Sequence, residues 1–87
     1  MYKVKILKRA IKRIEKMPIR IQKSFKNLLE DLEEKGPIRT DWPNYSKLDE
    51  NTYHCHLARK WVACWQWEKE SIVIEVYYAG SRENAPY

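Results

Sequence analysis

The chain has 87 residues, of which 44% are hydrophobic and 33% charged, and it includes four Trp and six Tyr. This length predicts one small domain, and the apolar and aromatic content excludes a disordered chain. No apolar run approaches the roughly 20 residues of a membrane-spanning helix, and the amino terminus lacks a secretory signal pattern, so we expect a cytoplasmic protein with no membrane partner.

The positive charge is concentrated at the start of the chain. Residues 1–26 hold ten Lys or Arg and one acid, Glu15, so this segment has a net charge of +9. The whole chain has a net charge of +5, so residues 27–87 carry −4. Such a segment suits a polyanion such as RNA or DNA, or an acidic protein partner. A solvated helix face that serves solubility explains the same charge.

The amino-terminal half predicts one strand and two helices. Y-K-V-K-I-L alternates apolar and basic side chains, which indicates a strand over residues 2–7. Apolar residues at helical spacing follow, and Pro18 ends that first helix or begins the second. The second helix is predicted over residues 21–32, before Gly36 and Pro37. Its apolar stripe should face a sheet and consists of Ile21, Phe25, Leu28, Leu29 and Leu32.

The carboxy-terminal half predicts three strands. They are Y-H-C-H-L at 53–57, W-V-A-C-W-Q-W at 61–67 and S-I-V-I-E-V-Y-Y at 71–78. The gaps between them are short enough for hairpins. We therefore expect an α+β fold: an N-terminal strand, two helices, then an antiparallel three-strand meander, with both helices on one sheet face. The parity of Trp61, Trp65 and Trp67 favours packing against the helices over stacking on nucleotides.

The only two histidines lie in the first meander strand. Strand geometry places His54 and His56 on the same face. Three interpretations fit them: a pair of surface residues, two metal ligands with Cys64 as a third, or a catalytic pair. The catalytic interpretation is chemically reasonable because an imidazole, with a reference pKa of ~6.5, exchanges protons near neutral pH. No fourth metal ligand is evident in the sequence. Cys55 and Cys64 are expected to be free thiols that serve as small hydrophobes.

Several short motifs together resemble one protein family. They are K-L at 47–48, Y-H-C-H-L, W-V-A-C-W-Q-W and the closing Y-Y-A-G-S-R-E-N-A-P-Y. In these motifs, and in its layout over nearly the whole chain, the sequence resembles the RelE/ParE toxin superfamily of bacterial toxin–antitoxin systems, and within it the RelE-like mRNA interferases. The resemblance implies one RelE-like toxin domain over residues 1–87, with a microbial ribonuclease-type fold.

The resemblance also implies a function. RelE-like toxins are ribosome-dependent endoribonucleases that cleave mRNA by attack of a 2′-hydroxyl on the adjacent phosphate, without a metal or a small-molecule cofactor. The implied partners are a cognate antitoxin, the ribosome and mRNA. The family's catalytic positions fall on four residues of this sequence: His54, His56, Arg82 and Tyr87.

The sequence departs from the family at one position. The family's arginine early in the second meander strand falls near Val62, and Arg59 or Lys60 in the preceding turn is the candidate replacement. The basic residues assigned to RNA or ribosome contact are Lys47, Arg59, Lys60, Lys8, Arg9, Lys12 and Arg13.

Two other functions fit the same fold. A ParE-like poison of DNA gyrase is the main alternative, although a gyrase poison has no need of a catalytic cluster. A degenerate member that only binds its antitoxin is the second alternative. The missing arginine at Val62 counts against the interferase.

Overall fold

The structure is a computed structural model and describes residues 1–87. The predicted α+β fold is confirmed, with a strand, two helices and a three-strand meander in that order. In chain order the elements are β1 (Lys3–Ile6), α1 (Lys8–Ile14), α2 (Ile19–Lys35), β2 (Ser46–Lys47), β3 (Thr52–Ala58), β4 (Trp61–Gln66) and β5 (Val73–Ser81). Neither helix is both long and apolar enough to span a bilayer.

The five strands form one mixed sheet in the order β1-β5-β4-β3-β2. β3, β4 and β5 are the predicted antiparallel meander. β1 pairs with β5 at the edge of the meander, parallel to it, with Val4 opposite Ile74. Parallel neighbours need a long connection, and here the chain between β1 and β5 provides it. The two-residue strand β2 was not predicted, because two residues are too few to show the alternation of a strand. It pairs with β3 at the other edge of the sheet.

Local chemistry sets the ends of α2. Pro18 precedes the first turn, where its missing N–H is not needed, and its carbonyl accepts hydrogen bonds from Ile21 and Gln22. Gly36 ends the helix with φ +95°, a conformation that favours glycine. Arg39 then donates from Nε to the Gly36 carbonyl at 3.0 Å, which satisfies a carbonyl at the helix end.

The main core lies between α2 and one face of the sheet. α2 contributes the buried Ile21, Phe25, Leu28 and Leu32, as predicted, while Leu29 packs at the edge of the core. Trp65 is fully buried and donates from Nε1 to the Pro37 carbonyl at 3.0 Å. Trp61 and Trp67 are half-buried against the same core, so the predicted packing role of the three tryptophans is confirmed.

A smaller apolar cluster covers the opposite face of the sheet. It consists of Val62, Cys64 and Tyr78. The register between β4 and β5 shifts after Cys64, so Tyr77 is an extra residue in β5, and it packs on the same cluster as Tyr78. Cys55 lies in the main core and Cys64 in the smaller cluster; both are buried free thiols, as expected.

Candidate active site

The two histidines stand side by side on the sheet face opposite α2. Their ring centroids are 5.9 Å apart, which confirms the geometry predicted from their spacing. His54 pairs across the sheet with Cys64, and His56 pairs with Val62. Both histidines are largely buried, with 8% and 9% of their surface exposed.

The chain before β3 holds one ring nitrogen of each histidine. Nδ1 of His54 lies 3.0 Å from the hydroxyl of Ser46, and Nδ1 of His56 lies 3.2 Å from the side-chain amide nitrogen of Asn44. The backbone N–H of His56 donates to the Pro43 carbonyl at 2.8 Å. Nε2 of each ring has no hydrogen-bonding partner in the protein, so it is the atom that each histidine offers to a ligand.

Burial shifts the titration of both imidazoles in the same direction. It lowers the pKa of His54, a hydrogen bond from the imidazole to the Ser46 backbone acts in the opposite sense, and His56 lowers the pKa of His54 further. Burial also lowers the pKa of His56, and the positive charge of Arg82 adds to this effect. Because the reference pKa of histidine is already ~6.5, both rings are mainly neutral at pH 7.

Tyr87 and Arg82 complete the group of four predicted catalytic residues. The Tyr87 ring centroid lies 4.5 Å from that of His54. Burial raises the pKa of Tyr87, and Arg82 is near enough for its charge to act against that rise. Arg82 is exposed and forms no ion pair, not even with Glu83, while its backbone N–H donates to the Lys60 carbonyl at 2.8 Å. The structure therefore brings the four residues together at one end of the sheet.

The candidates for the missing arginine are placed differently from one another. Val62 is fully buried beneath the site and presents no group to a phosphate. Lys60 lines a cavity of about 270 Å³ together with Arg82, so it is next to the predicted phosphate-binding group. Arg59 is exposed in the same turn, and its side chain forms no ion pair. Lys47 lies one residue after Ser46 on β2, and strand alternation turns its side chain away from His54.

The basic residues of α1 divide into two pairs. Arg9 and Arg13, one turn apart, line a cavity of about 220 Å³ with Tyr77, Tyr78 and two residues of the C-terminal segment. The Arg13 guanidinium lies 5.3 Å from the centre of the Tyr78 ring, within cation–π range. No acidic side chain lines this cavity. Lys8 and Lys12 are exposed on the same helix but do not line it.

The geometry does not assemble a metal site. Cys64 is the cross-strand neighbour of His54, but no three His, Cys, Asp or Glu residues are grouped so that they could hold a metal ion. Burial raises the pKa of Cys64 to about 12, so at neutral pH it is a thiol and not the thiolate that metals bind.

Sequence reasoning missed Asn44 and Ser46, which contact the histidines, and the tyrosine pair at 77–78. The only sequence signal for the first two was the turn pattern of Pro43-Asn44. Nothing in the sequence indicated that this turn packs against a strand that begins several residues later.

No family model matches the sequence, and a search of curated proteins found no relative. Solved structures do match it over most of its length. The archaeal RelE–RelB complex from Pyrococcus horikoshii OT3 has a TM-score of 0.75 at 20% identity, with 97% of this chain and 98% of that chain covered. The isolated E. coli RelE toxin has a TM-score of 0.76 at 21% identity, with 99% and 89% covered. The YoeB–YefM complex from Staphylococcus aureus has a TM-score of 0.71 at 10% identity, with 94% and 98% covered.

This chain has the RelE fold. The resemblance stated from the sequence is thereby confirmed at the level of architecture. On the RelE fold of this chain, α2 covers one sheet face, and the opposite face carries His54, His56 and Tyr87. A fold shared at such low identity does not fix the chemistry, so the function has to be argued from these side chains.

Proposed function

We propose that this protein is the toxin of a bacterial toxin–antitoxin system and a ribosome-dependent endoribonuclease, with one domain over residues 1–87. The observation that carries the proposal is the convergence of His54, His56, Arg82 and Tyr87 on one face of a RelE fold. Solved structures with this fold include the E. coli RelE toxin and the intact E. coli RelBE toxin–antitoxin complex.

In the proposed reaction, the 2′-hydroxyl oxygen of an mRNA nucleotide attacks the adjacent phosphorus. The bond from phosphorus to the 5′-oxygen breaks, which leaves a 2′,3′-cyclic phosphate and a 5′-hydroxyl. One imidazole accepts the 2′-hydroxyl proton. Water protonates the departing 5′-oxygen, and the hydroxide so formed takes the proton back from the imidazole. The proton balance closes without a metal ion or cofactor.

The electrostatics of the site suit this reaction. A histidine whose pKa is lowered by burial is already in its basic form at neutral pH, so no proton has to be removed before it acts. Arg82 has no ion-pair partner, and its planar guanidinium can bind two phosphoryl oxygens as negative charge develops on them. Tyr87 lies against His54, where its ring would contact the nucleotide.

The basic surface supports a large polyanionic partner. Arg9 and Arg13 border the tyrosine pair on the site's own face of the sheet, and we assign them to RNA. Lys8, Lys12, Lys47 and Arg59 are assigned to ribosome contact. A cognate antitoxin is the proposed protein partner, and the cytoplasm, where ribosomes translate, is the proposed location.

The test is primer extension on translated mRNA after the protein is induced in bacteria. Cuts within codons are expected for the parent protein, and their loss is expected for the double variant H54A/H56A and for R82A. R20A removes an exposed cation from α2, on the opposite face, and should cleave like the parent. Growth arrest with DNA damage and intact mRNA would reject the interferase in favour of a gyrase poison.

A further inference from the structure

A tight turn before β3 is attached to the backbone and the ring of His56. The N–H of Tyr45 donates to the Trp42 carbonyl at 3.3 Å, Pro43 occupies the second position, and Asn44 at the third has φ +53°. Proline followed by a residue with positive φ is the pattern of a type II turn, and asparagine tolerates this conformation. The 2.8 Å hydrogen bond from His56 N–H to Pro43 fixes the turn to β3 and places the Asn44 amide beside the imidazole.

The chemistry of the Asn44 contact determines where His56 carries its proton. The structure turns the amide nitrogen of Asn44 towards Nδ1 of His56. An amide nitrogen only donates hydrogen bonds, so in this arrangement Nδ1 accepts and the neutral ring carries its proton on Nε2. A proton added to Nδ1 would face the amide hydrogens, so the contact would be lost in this orientation and would re-form only when the Asn44 side chain turned to present its oxygen. The other charged or titratable groups that face His56 are His54 and Arg82, and positive charge on either also opposes a cationic His56.

The contact of His54 is of a different kind. The Ser46 hydroxyl can donate to Nδ1 or accept from it. His54 therefore keeps its hydrogen bond when it gains a proton on Nε2 and becomes a cation, because Ser46 then accepts from Nδ1–H. The two histidines share one strand face but have partners that permit different protonation changes.

We propose that Asn44 is a positioning residue that holds His56 as a neutral Nε2–H donor, while Ser46 permits His54 to act as the base. This assignment rests on the proposed ribonuclease function and deepens it. His54 accepts the 2′-hydroxyl proton, and His56 donates a hydrogen bond to a phosphoryl oxygen throughout the reaction. A neutral imidazole in a low-dielectric site stabilises developing negative charge in this way without transferring its own proton.

The test of the tautomer is ¹⁵N NMR of the two imidazoles in the parent protein and in two Asn44 variants. In the parent, neutral His56 should be protonated on Nε2. In N44D the carboxylate accepts a hydrogen bond, so the proton should move to Nδ1 and the pKa of His56 should rise by about 1–3. N44G keeps the positive φ but removes the amide, and should release the preference for one tautomer. His54 should keep its parental signals in both variants.

The kinetic test follows mRNA cleavage on ribosomes. N44D should lower kcat by about 10²-fold or more, the usual cost of losing one donor to developing charge, with KM almost unchanged. A parent His56 protonated on Nδ1, or a switched tautomer with parental kcat, would overturn the proposal. A parent that cleaves no mRNA would reject the proposed function, and the effect of Asn44 on catalysis with it, whereas the NMR result would still decide whether Asn44 positions the His56 proton.

Discussion

Single residues set the chemistry of this site through burial. His54 and His56 sit on a sheet face, where a polar side chain is usually solvated, yet each exposes less than a tenth of its surface. The missing solvent disfavours the imidazolium form, which is why both pKa values are lowered. The spacing in Y-H-C-H-L was enough to predict that the two rings are neighbours. It did not predict their burial, which depends on β2 and the Asn44 turn.

The lowered histidine pKa values give a test of catalysis. The rate of mRNA cleavage should rise with pH as the base loses its proton and reach a plateau by neutrality, with an apparent pKa below the ordinary ~6.5. Single-turnover cleavage measured from about pH 5 to pH 8 would show this limb. H54A should lose it, because the base is gone. A rate that is flat in acid and rises only in the alkaline range would indicate a lysine base instead.

The same pKa values predict how stability depends on pH. The folded histidines bind protons less readily than the unfolded ones, so they contribute stability above pH ~6.5 that is lost as pH falls towards their folded pKa values. Urea unfolding of the parent should therefore show a lower free energy of unfolding in mild acid than at neutrality. In H54Q/H56Q the decrease should be smaller. An equal decrease in both proteins would mean that other groups cause it.

A chelator should not alter the protein, because its own side chains supply the proposed base and the positive charge. Cleavage and thermal unfolding are expected to be unchanged in EDTA, provided that magnesium is restored for the ribosomes in the cleavage assay. Zinc that copurifies in stoichiometric amount, and whose removal abolishes activity, would contradict this expectation and revive a site at His54, His56 and Cys64.

At the level of elements, α2 shows what periodicity predicts and what it does not. Its apolar stripe predicted a helix over residues 21–32 and the face it buries, and both agree with the structure. The helix begins earlier and ends later than predicted, since Pro18 and Gly36 fix its ends and neither belongs to the stripe. β2 was missed because two residues show no alternation. The bulge at Tyr77 was missed because it depends on the register with β4.

Leu28 tests the packing of α2 on the sheet. Its side chain is fully buried, so L28A should lower the free energy of unfolding by about 2–5 kcal/mol. L29A is the matched control, because Leu29 is the next residue and only packs at the edge of the core. Urea unfolding should place L29A well above L28A in stability. Equal effects of the two substitutions would mean that the helix is rotated from its described position.

Arg13 tests whether α1 touches the substrate. R13Q removes the guanidinium that lies over Tyr78 and should raise KM for mRNA cleavage by about two- to tenfold, which corresponds to ~0.4–1.4 kcal/mol. K26Q removes the same charge from the exposed side of α2, outside the cavity. Its KM should stay close to that of the parent. If both variants behave alike, the effect belongs to net charge and not to the cavity.

At the scale of the whole molecule, the two sheet faces have different tasks. One face is covered by α2 and supplies the core, and the other carries the histidines and borders the basic edge of α1. The order and type of most elements followed from the sequence because they rest on local periodicity. The parallel pairing of β1 with β5 and the contact of α1 with the tyrosines join residues far apart in sequence, and local patterns do not report them.

Because the two sheet faces differ in this way, we expect the position of a positive charge to affect ribosome binding more than the total charge does. Ribosome binding should weaken as salt concentration rises. In a plot of the logarithm of the binding constant against the logarithm of the salt concentration, each lost phosphate contact should reduce the magnitude of the slope by about 1. R9Q/R13Q removes two cations beside the site, and K23Q/K26Q removes two from the exposed side of α2, on the opposite face, so both variants have the same net charge. Only R9Q/R13Q should reduce the slope, by about 1–2. Filter-binding titrations at several salt concentrations measure this slope. Equal slopes for the two variants would show that long-range attraction, and not contact through the histidine-bearing face, draws the protein to RNA.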